Sequence, residues 1–264
     1  MAIDPKELRQ AQLIMLDMLV EFDAICKKHN LKYWLDSGTL LGAVRHKGFI
    51  PWDDDIDLSM PVEDYNKFIE IGASQLSENI FFQTKETDPN FKFDYMKLRS
   101  NRASIVEFHE KGRDVGYHQG VFVDIFPMLT LPSREFYKKF YDGIFKSIRS
   151  VSAVSLHTPN GEDYPEIREK LVKALSLMHQ GWEKKGLKVI YSGKMPDVSA
   201  WFDIDEVFPL KKITFEGLEF YAPKNPNHYL GENYSFNYME LPPEDKRTIH
   251  ALEIVLKDRN SEVS

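Results

Sequence analysis

Apolar residues recur at two different spacings along the chain, and these spacings divide it into helical and extended segments. From Asp4-Pro5 to His29-Asn30 they fall three and four positions apart, which predicts one long helix capped by the aspartate and packed by one face. A second helix is predicted to open at residues 61–64. The predicted buried positions of the two helices are Leu8, Ala11, Met15, Met18, Phe22 and Ile25, and Tyr65, Phe68, Ile69 and Leu76.

Short apolar or alternating runs predict the strands of a sheet. A hairpin is predicted over residues 211–221, with its turn at Glu216-Gly217, and a loop over residues 111–120. After His250 the chain is predicted to close with a short helix. The remaining predicted strands cover residues 33–35, 55–60, 80–83, 95–99 and 121–127.

A segment rich in helix formers and in lysine and arginine follows these strands. This segment is predicted to form two helices, residues 132–156 and 164–191. The cations of these helices could form a functional surface, and the alternative is that they lie on ordinary solvated helix faces. We therefore predict a core of residues 1–131, an inserted helical lobe of residues 132–198, and a segment of residues 199–264 that packs back on the core. The predicted fold class is α+β, with a mixed sheet and flanking helices.

Composition excludes several classes of protein. The apolar fraction of 42% and the charged fraction of 28% are those of an ordinary globular protein, and a net charge of −7 argues against general nucleic-acid binding. The single cysteine, Cys26, cannot form an internal disulfide. The sequence has no apolar run long enough to span a bilayer and does not begin like a signal peptide. We therefore predict a cytoplasmic location, with any membrane contact peripheral at the inner face.

Carboxylates are the most distinctive feature of the sequence. Asp53, Asp54, Asp55 and Asp57 fall within five residues, which costs folding free energy unless a cation neutralises them. Because residues two apart on a strand share a face, Asp55 and Asp57 are predicted to project together. Asp124 lies inside an apolar strand, where burial without a partner is costly. The alternatives are a solvated acidic turn or a helix cap for the acidic run and, for Asp124, a structural acid paired with an arginine.

Small and basic residues precede the acids. Gly38 and Thr39 separate the short strand from the next helix, at a position where a phosphate could approach backbone N–H groups. Arg45, His46 and Lys47 follow that helix. They are predicted to reach phosphate oxygens, and the alternative is that they complement the negative end of the helix dipole.

The order strand, Gly-Thr turn, helix and Asp-apolar-Asp is the organisation of the nucleotidyltransferase fold. Residues 38–57, which include Gly-Thr-Leu-Leu-Gly-Ala-Val-Arg and Gly-Phe-Ile-Pro-Trp-Asp-Asp-Asp-Ile-Asp, resemble the LicD family of phosphocholine transferases, relatives of fukutin and fukutin-related protein. Further elements of that family follow in order at residues 121–127, 208–216 and 229–250. The chain departs from the family at residues 234–239, Tyr-Ser-Phe-Asn-Tyr-Met, where the family often has Tyr-Gly-Asp-Tyr-Met.

The resemblance implies a nucleotidyltransferase-like core that transfers phosphocholine from CDP-choline to a sugar hydroxyl of a lipid-linked bacterial glycan, a teichoic acid or lipopolysaccharide precursor. It agrees with the prediction that Asp55, Asp57 and Asp124 are catalytic and bind Mg²⁺, with Mn²⁺ as the alternative ion. Asp53 and Asp54 would orient these ligands or cap the turn. The alternatives are transfer of another CDP-linked phospho-alcohol, such as ribitol phosphate, and a non-catalytic binding module of the same fold.

Residues farther along the chain complete the predicted site. Arg247 and His250 are predicted to share one side of a helical turn and to contact phosphate or acceptor, the alternative being a salt bridge and a helix-end histidine. A choline head group needs an aromatic cage, for which Trp52 is one candidate among several. The lobe is predicted to face the membrane that holds the acceptor, the alternative being an amphipathic pair of helices whose aromatic residues pack on the catalytic core. The predicted substrate-binding residues are Gly38, Thr39, Arg45, His46, Lys47, Trp52, Arg247 and His250.

Overall fold

A computed structural model describes residues 3–93, 95–131, 189–192 and 201–257. Its helices are α1 Pro5–His29, α2 Ser37–Arg45, α3 Val62–Gln75, α4 Ile204–Val207 and α5 Pro226–Tyr234, with 3₁₀ turns at Phe108–Glu110 and Glu244–Lys246. Its strands are β1 Trp34–Leu35, β2 Ile56–Pro61, β3 Ile80–Gln83, β4 Met96–Glu107, β5 Gly120–Leu131, β6 Val189–Ser192, β7 Trp201–Asp203, β8 Lys211–Phe215, β9 Leu218–Ala222 and β10 Ala251–Leu256.

Eight of the described strands form one mixed sheet. Its main path runs β1-β2-β5-β4-β10, with β3 also on β4, β6 on β5 and β7 on β6. β2 and β5 are parallel, and the other pairs are antiparallel. The predicted α+β class with a mixed sheet is therefore confirmed. No helix in the described ranges has the length and hydropathy that a bilayer-spanning segment needs.

The long helix α1 forms as its sequence predicts. The Asp4 side chain accepts a hydrogen bond from Lys6 N at 2.8 Å, and Pro5 occupies the first turn. The helix ends where Asn30 adopts a left-handed conformation with φ of 54°. Its predicted apolar stripe is buried against β4, β5 and β10. The helix thus covers the face of the sheet on which the hydrophobic core lies.

The β8–β9 hairpin, defined by the turn at Glu216-Gly217, holds the loop after α2. Both turn residues have positive φ, 51° and 78°, as a tight hairpin turn requires. The Glu216 carboxylate accepts hydrogen bonds from Phe49 N at 3.0 Å and from Arg9 Nη2 at 2.6 Å. One acid therefore joins the hairpin, α1 and the loop that leads into β2, and the predicted hairpin is confirmed.

Two predictions about buried faces and chain ends are wrong. Ile69 is 36% exposed, because Tyr65, Phe68 and Gly72 define the buried face of α3 and Ile69 lies beside it. The end of the chain forms strand β10 and not a helix. A register shift between Ala251 and Glu253 places residues three apart on the buried side, a spacing that imitates a helix.

Two further helical predictions also differ from the structure. Val189–Ser192 forms β6, which extends the sheet by pairing with the end of β5, so the second helix of the lobe does not reach Tyr191. Arg247 has an extended backbone after the Glu244–Lys246 turn, so it and His250 do not share a helical turn. The rest of the predicted lobe, residues 132–188 and 193–198, lies outside the described residues, and the domain boundaries stay predictions.

Gly42 tests the packing of α2 against the loop that follows it. A Cβ atom at Gly42 would lie 2.4 Å from the Gly48 carbonyl oxygen, so Gly42→Ala forces backbone to move. We expect Gly42→Ala to lower the free energy of unfolding by about 1–3 kcal/mol, despite the better helix propensity of alanine. Urea unfolding measures this, with Ser74→Ala on α3 as the control, expected within about 0.5 kcal/mol of wild type. An equally small effect at Gly42 would contradict this packing.

Candidate functional site

The parallel pairing of β2 and β5 brings two predicted ligands side by side. Asp57 lies opposite Asp124 in the register, and Asp55 immediately precedes β2. The residues that alternate with them, Ile56 and Leu58, are fully buried in the core. The three carboxylates therefore project from the same face of the sheet, opposite the core. We call Asp55, Asp57 and Asp124 the acid row.

The carboxylates of the acid row are partly or fully buried close to one another, with too little positive charge nearby to neutralise them. Burial raises the pKa of Asp55 to about 7, helped by the charges of Asp54 and Asp124. Burial and the charges of Asp55 and Asp124 raise the pKa of Asp57 well above its usual range. The pKa of Asp53 is also raised, first by burial and then by Asp55 and Asp54. Shifts in this direction mean that the described side chains do not neutralise these carboxylates.

Two buried carboxylate oxygens lack a hydrogen-bond donor among the described residues. They are Asp53 Oδ2 and Asp124 Oδ1. Asp124 Oδ1 lies 2.9 Å from Lys97 Nζ in an ion pair, but the geometry supplies no hydrogen bond there. Carboxylate oxygens are the ligands that Mg²⁺ and Mn²⁺ prefer. An acid row in which the pKa values of Asp55 and Asp57 are raised and Asp124 Oδ1 has no hydrogen-bond donor therefore fits a hard divalent cation.

Lys97 is a component of the site that sequence reasoning missed. Its side chain is only 3% exposed, and its ammonium donates to Asp124 Oδ2 at 3.2 Å and lies 3.4 Å from the Phe122 ring centre. Burial lowers its pKa, which the charge of Asp124 opposes. Arg99, also buried, binds Gln83 Oε1 and Gly120 O. The partner of Asp124 is thus a lysine and not the arginine named in the alternative, and the position of Lys97 opposite Asp124 was readable only from the strand register.

Asp54 anchors the C-terminal segment to the site. Its carboxylate is buried and accepts hydrogen bonds from Ala251 N and, at 3.3 Å, from His250 Nδ1. The hydrogen bond to Asp54 raises the pKa of His250 to about 9, so this exposed imidazole is a cation at neutral pH. Ligand atoms of Asp54, Asp55 and His250 lie within 4.8 Å of one another. Because Mg²⁺ prefers oxygen ligands and a proton on the imidazole competes with a metal, we interpret His250 as a charge partner and not as a ligand.

Gly38 and Thr39 contact the acids directly. A Cβ atom on Gly38 would lie 2.8 Å from Asp53 Oδ2, so the carboxylate approaches the start of α2 because the residue is glycine. Thr39 Oγ1 accepts a hydrogen bond from Asp57 N at 2.8 Å. The observed contacts of this turn orient the acids, and its contact with phosphate stays a prediction.

Arg45, at the end of α2, and Lys47, two residues later, make different contacts. Arg45 Nη1 donates to Tyr238 O at 2.7 Å and to Glu240 O at 3.1 Å. Burial lowers the pKa of its guanidinium, and the negative charge of the nearby Asp53 opposes this effect. Lys47 is exposed, and its ammonium donates to Val44 O at the C-terminal end of α2. The structure therefore places Arg45 beside the acids, whereas Lys47 makes the helix-end contact that was the alternative.

Trp52 contacts the side chains of Arg247 and His46. The Arg247 guanidinium lies 4.4 Å from the Trp52 ring centre, and the His46 ring meets Trp52 edge-on at 6.3 Å. Tyr234, at the end of α5, is a second residue that sequence reasoning missed: burial and the charges of Asp57 and other acids raise its pKa. Tyr234 belongs to the segment in which the sequence departs from the family pattern.

Comparison with known proteins agrees with this geometry. The sequence profile of the family described as LicD/FKTN/FKRP, nucleotidyltransferase domain, matches residues 30–148, which contain the acid row and Lys97.

The chain contains a LicD-family domain.

Relatives extend the similarity beyond the LicD-family domain. The lipopolysaccharide cholinephosphotransferase LicD of Haemophilus influenzae is 27% identical over 276 residues, covering 93% of this chain and 96% of the relative. Human ribitol 5-phosphate transferase FKRP is 56% identical over 65 residues, covering 23% of this chain and 13% of FKRP. An uncharacterized protein of Rickettsia typhi is 46% identical over 59 residues, covering 22% of this chain and 19% of that protein.

The buried ion pair in the LicD-family domain is testable by unfolding. We expect Lys97→Met to lower the free energy of unfolding by about 3–5 kcal/mol in chelator-treated protein, because it leaves the Asp124 charge buried and unpaired. Lys97→Met with Asp124→Asn should be less destabilised than Lys97→Met alone. Arg102→Met, which breaks the exposed pair with Asp17, is the control and should cost under about 1 kcal/mol. A cost at Lys97 no larger than at Arg102 would contradict the assignment.

The Asp54–His250 contact is testable by titration. In NMR spectra we expect the His250 ring to titrate near pH 9 and, in Asp54→Asn, to move toward its ordinary value of 6.5. Because the folded pKa lies above the unfolded one, the contact stabilises the fold at low and neutral pH, and this stabilisation is lost as pH rises through about 9. His118, whose pKa burial lowers, is the internal control and should not respond. A His250 titration that is the same in both proteins would exclude the contact.

Proposed function

We propose that this protein is a metal-dependent phosphotransferase that moves phosphocholine from CDP-choline to a sugar hydroxyl of a lipid-linked bacterial glycan. The observation that carries the proposal is the acid row, in which Asp57 lies opposite Asp124 on the face of the sheet away from the core. The name of the Haemophilus relative supports choline phosphotransfer and a lipopolysaccharide acceptor. A teichoic acid precursor is the alternative acceptor of the same chemical class.

The acid row would hold Mg²⁺, or alternatively Mn²⁺. Such an ion neutralises the diphosphate of the donor and lowers the pKa of the attacking hydroxyl when it is bound. Asp57 and Asp124, on two parallel strands, and Asp55, just before β2, would supply the oxygen ligands, a rigid arrangement that suits in-line displacement at phosphorus. Thr39 fixes the backbone of Asp57 from the start of α2, so the ligand directions are set before substrate arrives.

Cationic residues around the acid row would bind the anionic part of the donor. His250 is exposed and positively charged at neutral pH, and the hydrogen bond from Ala251 N to Asp54 keeps it beside the acids. Arg45 lies next to Asp53 and is oriented by two backbone carbonyls. Both are placed to stabilise negative charge that develops on phosphate oxygens. Lys97 is buried and acts through Asp124, holding that carboxylate in place by their ion pair.

The second candidate function is transfer of another CDP-linked phospho-alcohol, such as ribitol phosphate. It is favoured by the 56% identity to FKRP, which covers only 13% of that protein. A non-catalytic module is not favoured, because the acid row and its partners are all in place. The cytoplasmic location and a peripheral membrane contact through the lobe stay predictions, since most of the lobe lies outside the described residues.

Substitution of the acid row tests the proposal. We expect Asp57→Asn and Asp124→Asn each to lower the rate of phosphocholine transfer about a thousandfold or more, because each removes a metal ligand. Mg²⁺ should raise the melting temperature of the wild type and should not raise that of either variant. Asp114→Asn, at an exposed loop carboxylate, is the matched control and should behave as wild type in both assays.

Two results would contradict the proposal. Full activity of Asp124→Asn, with circular dichroism unchanged, would remove Asp124 from the site. A wild-type protein that neither gains stability with Mg²⁺ or Mn²⁺ nor transfers phosphocholine from CDP-choline would argue against a metal-dependent transferase.

A further inference from the structure

A row of aromatic side chains lies beside the acid row. Phe126 follows Asp124 by two positions in β5, and the Tyr95 ring packs 4.7 Å from the Phe126 ring. Residues two apart on a strand share a face and lie roughly 7 Å apart. The Phe126 ring therefore lies on the face of the sheet that carries the acids, next along β5 from Asp124 on that face.

The aromatic row continues from the sheet to solvent. Phe93 lies 5.4 Å from Tyr95 and 5.2 Å from Phe91, measured between ring centres. Phe91 is fully buried, whereas Phe93 is 38% exposed. The row thus has a fixed inner end next to the acids and an accessible outer end. Its members are Phe91, Phe93, Tyr95, Tyr117 and Phe126.

Negative charge accompanies these rings. Glu107 lies 4.0 Å from His109, and the His109 ring meets Phe93 edge-on at 5.9 Å. Burial is the largest cause of a raised pKa at Tyr95, and the negative charges of Asp124 and Glu107 raise it further. Both carboxylates therefore contribute negative potential at the Tyr95 side chain. The same part of the sheet already accommodates one cation, since Lys97 Nζ lies 5.6 Å from the Tyr95 ring centre. Faces of aromatic rings next to carboxylates are an environment that attracts cations.

We propose that the aromatic row, with Glu107, binds the quaternary ammonium of the donor, and that Phe93 and Tyr95 determine head-group specificity. The inference rests on the proposed phosphotransfer reaction. A quaternary ammonium has no N–H group, so it is recognised by ring faces and by carboxylate charge. A ribitol chain has hydroxyl groups, whose hydrogen bonds ring faces do not replace.

Calorimetry with the full-length protein tests this subsite, using CDP-choline and CDP in the presence of Mg²⁺. The wild type should bind CDP-choline more tightly than CDP. We expect Phe93→Ala to weaken CDP-choline binding about three- to tenfold and to leave CDP binding unchanged. Glu107→Gln, which keeps the side-chain acceptor of the 3₁₀ turn, should have the same selective effect. Phe108→Ala, at a ring 58% exposed outside the row, is the matched control and should change neither affinity.

The outcomes separate this inference from the proposed function. Equal affinity of the wild type for CDP-choline and CDP, or an equal loss of both in Phe93→Ala, overturns the subsite. If phosphocholine is transferred while Phe93→Ala and Glu107→Gln bind CDP-choline as wild type does, the proposed function holds and the subsite is wrong. If the selective loss occurs but the protein transfers nothing, the subsite holds and the proposed function fails.

Discussion

The parallel pairing of β2 with β5 is the constraint on which the rest of the site depends. Backbone hydrogen bonds place Asp57 beside Asp124, while Ile56, Leu58, Val123 and Ile125 bury their side chains on the opposite face. The hydrophobic core therefore holds together carboxylates that repel each other. Crowding of this kind is a cost to the folded state, and it leaves the acid row in need of positive charge.

Positive charge reaches the acids from elements far apart in the sequence. Lys97 comes from β4, Arg45 from the end of α2, and His250 from the segment before β10. The last of these lies outside residues 30–148, the range that matches the family profile. The C-terminal segment, fixed by Ala251 N on Asp54, is thus part of the site and not an appendage to the domain. Similarity over 93% of the chain to the Haemophilus relative is consistent with a site assembled from both ends.

Features with local causes were predictable from the sequence. The capped helix α1, the hairpin at Glu216-Gly217 and the shared face of Asp55 and Asp57 each follow from a few neighbouring residues. Features that depend on strand register were not. Lys97 looks like an ordinary strand lysine until β4 is aligned with β5, and the shifted register of β10 gives its residues a helical spacing. The anchoring contacts of Asp54 were equally hidden, because its partners are about two hundred positions away.

Strand register also allows one face of the sheet to carry both the acid row and the proposed head-group subsite. Chemistry at the diphosphate is common to all CDP-linked donors, so discrimination between head groups has to come from other side chains. Along β5, Asp124 and Phe126 share a face but occupy separate positions, with Lys97 beside the first and Tyr95 beside the second. If the proposed subsite binds the head group, substitutions in the aromatic row would alter head-group preference without moving the acids.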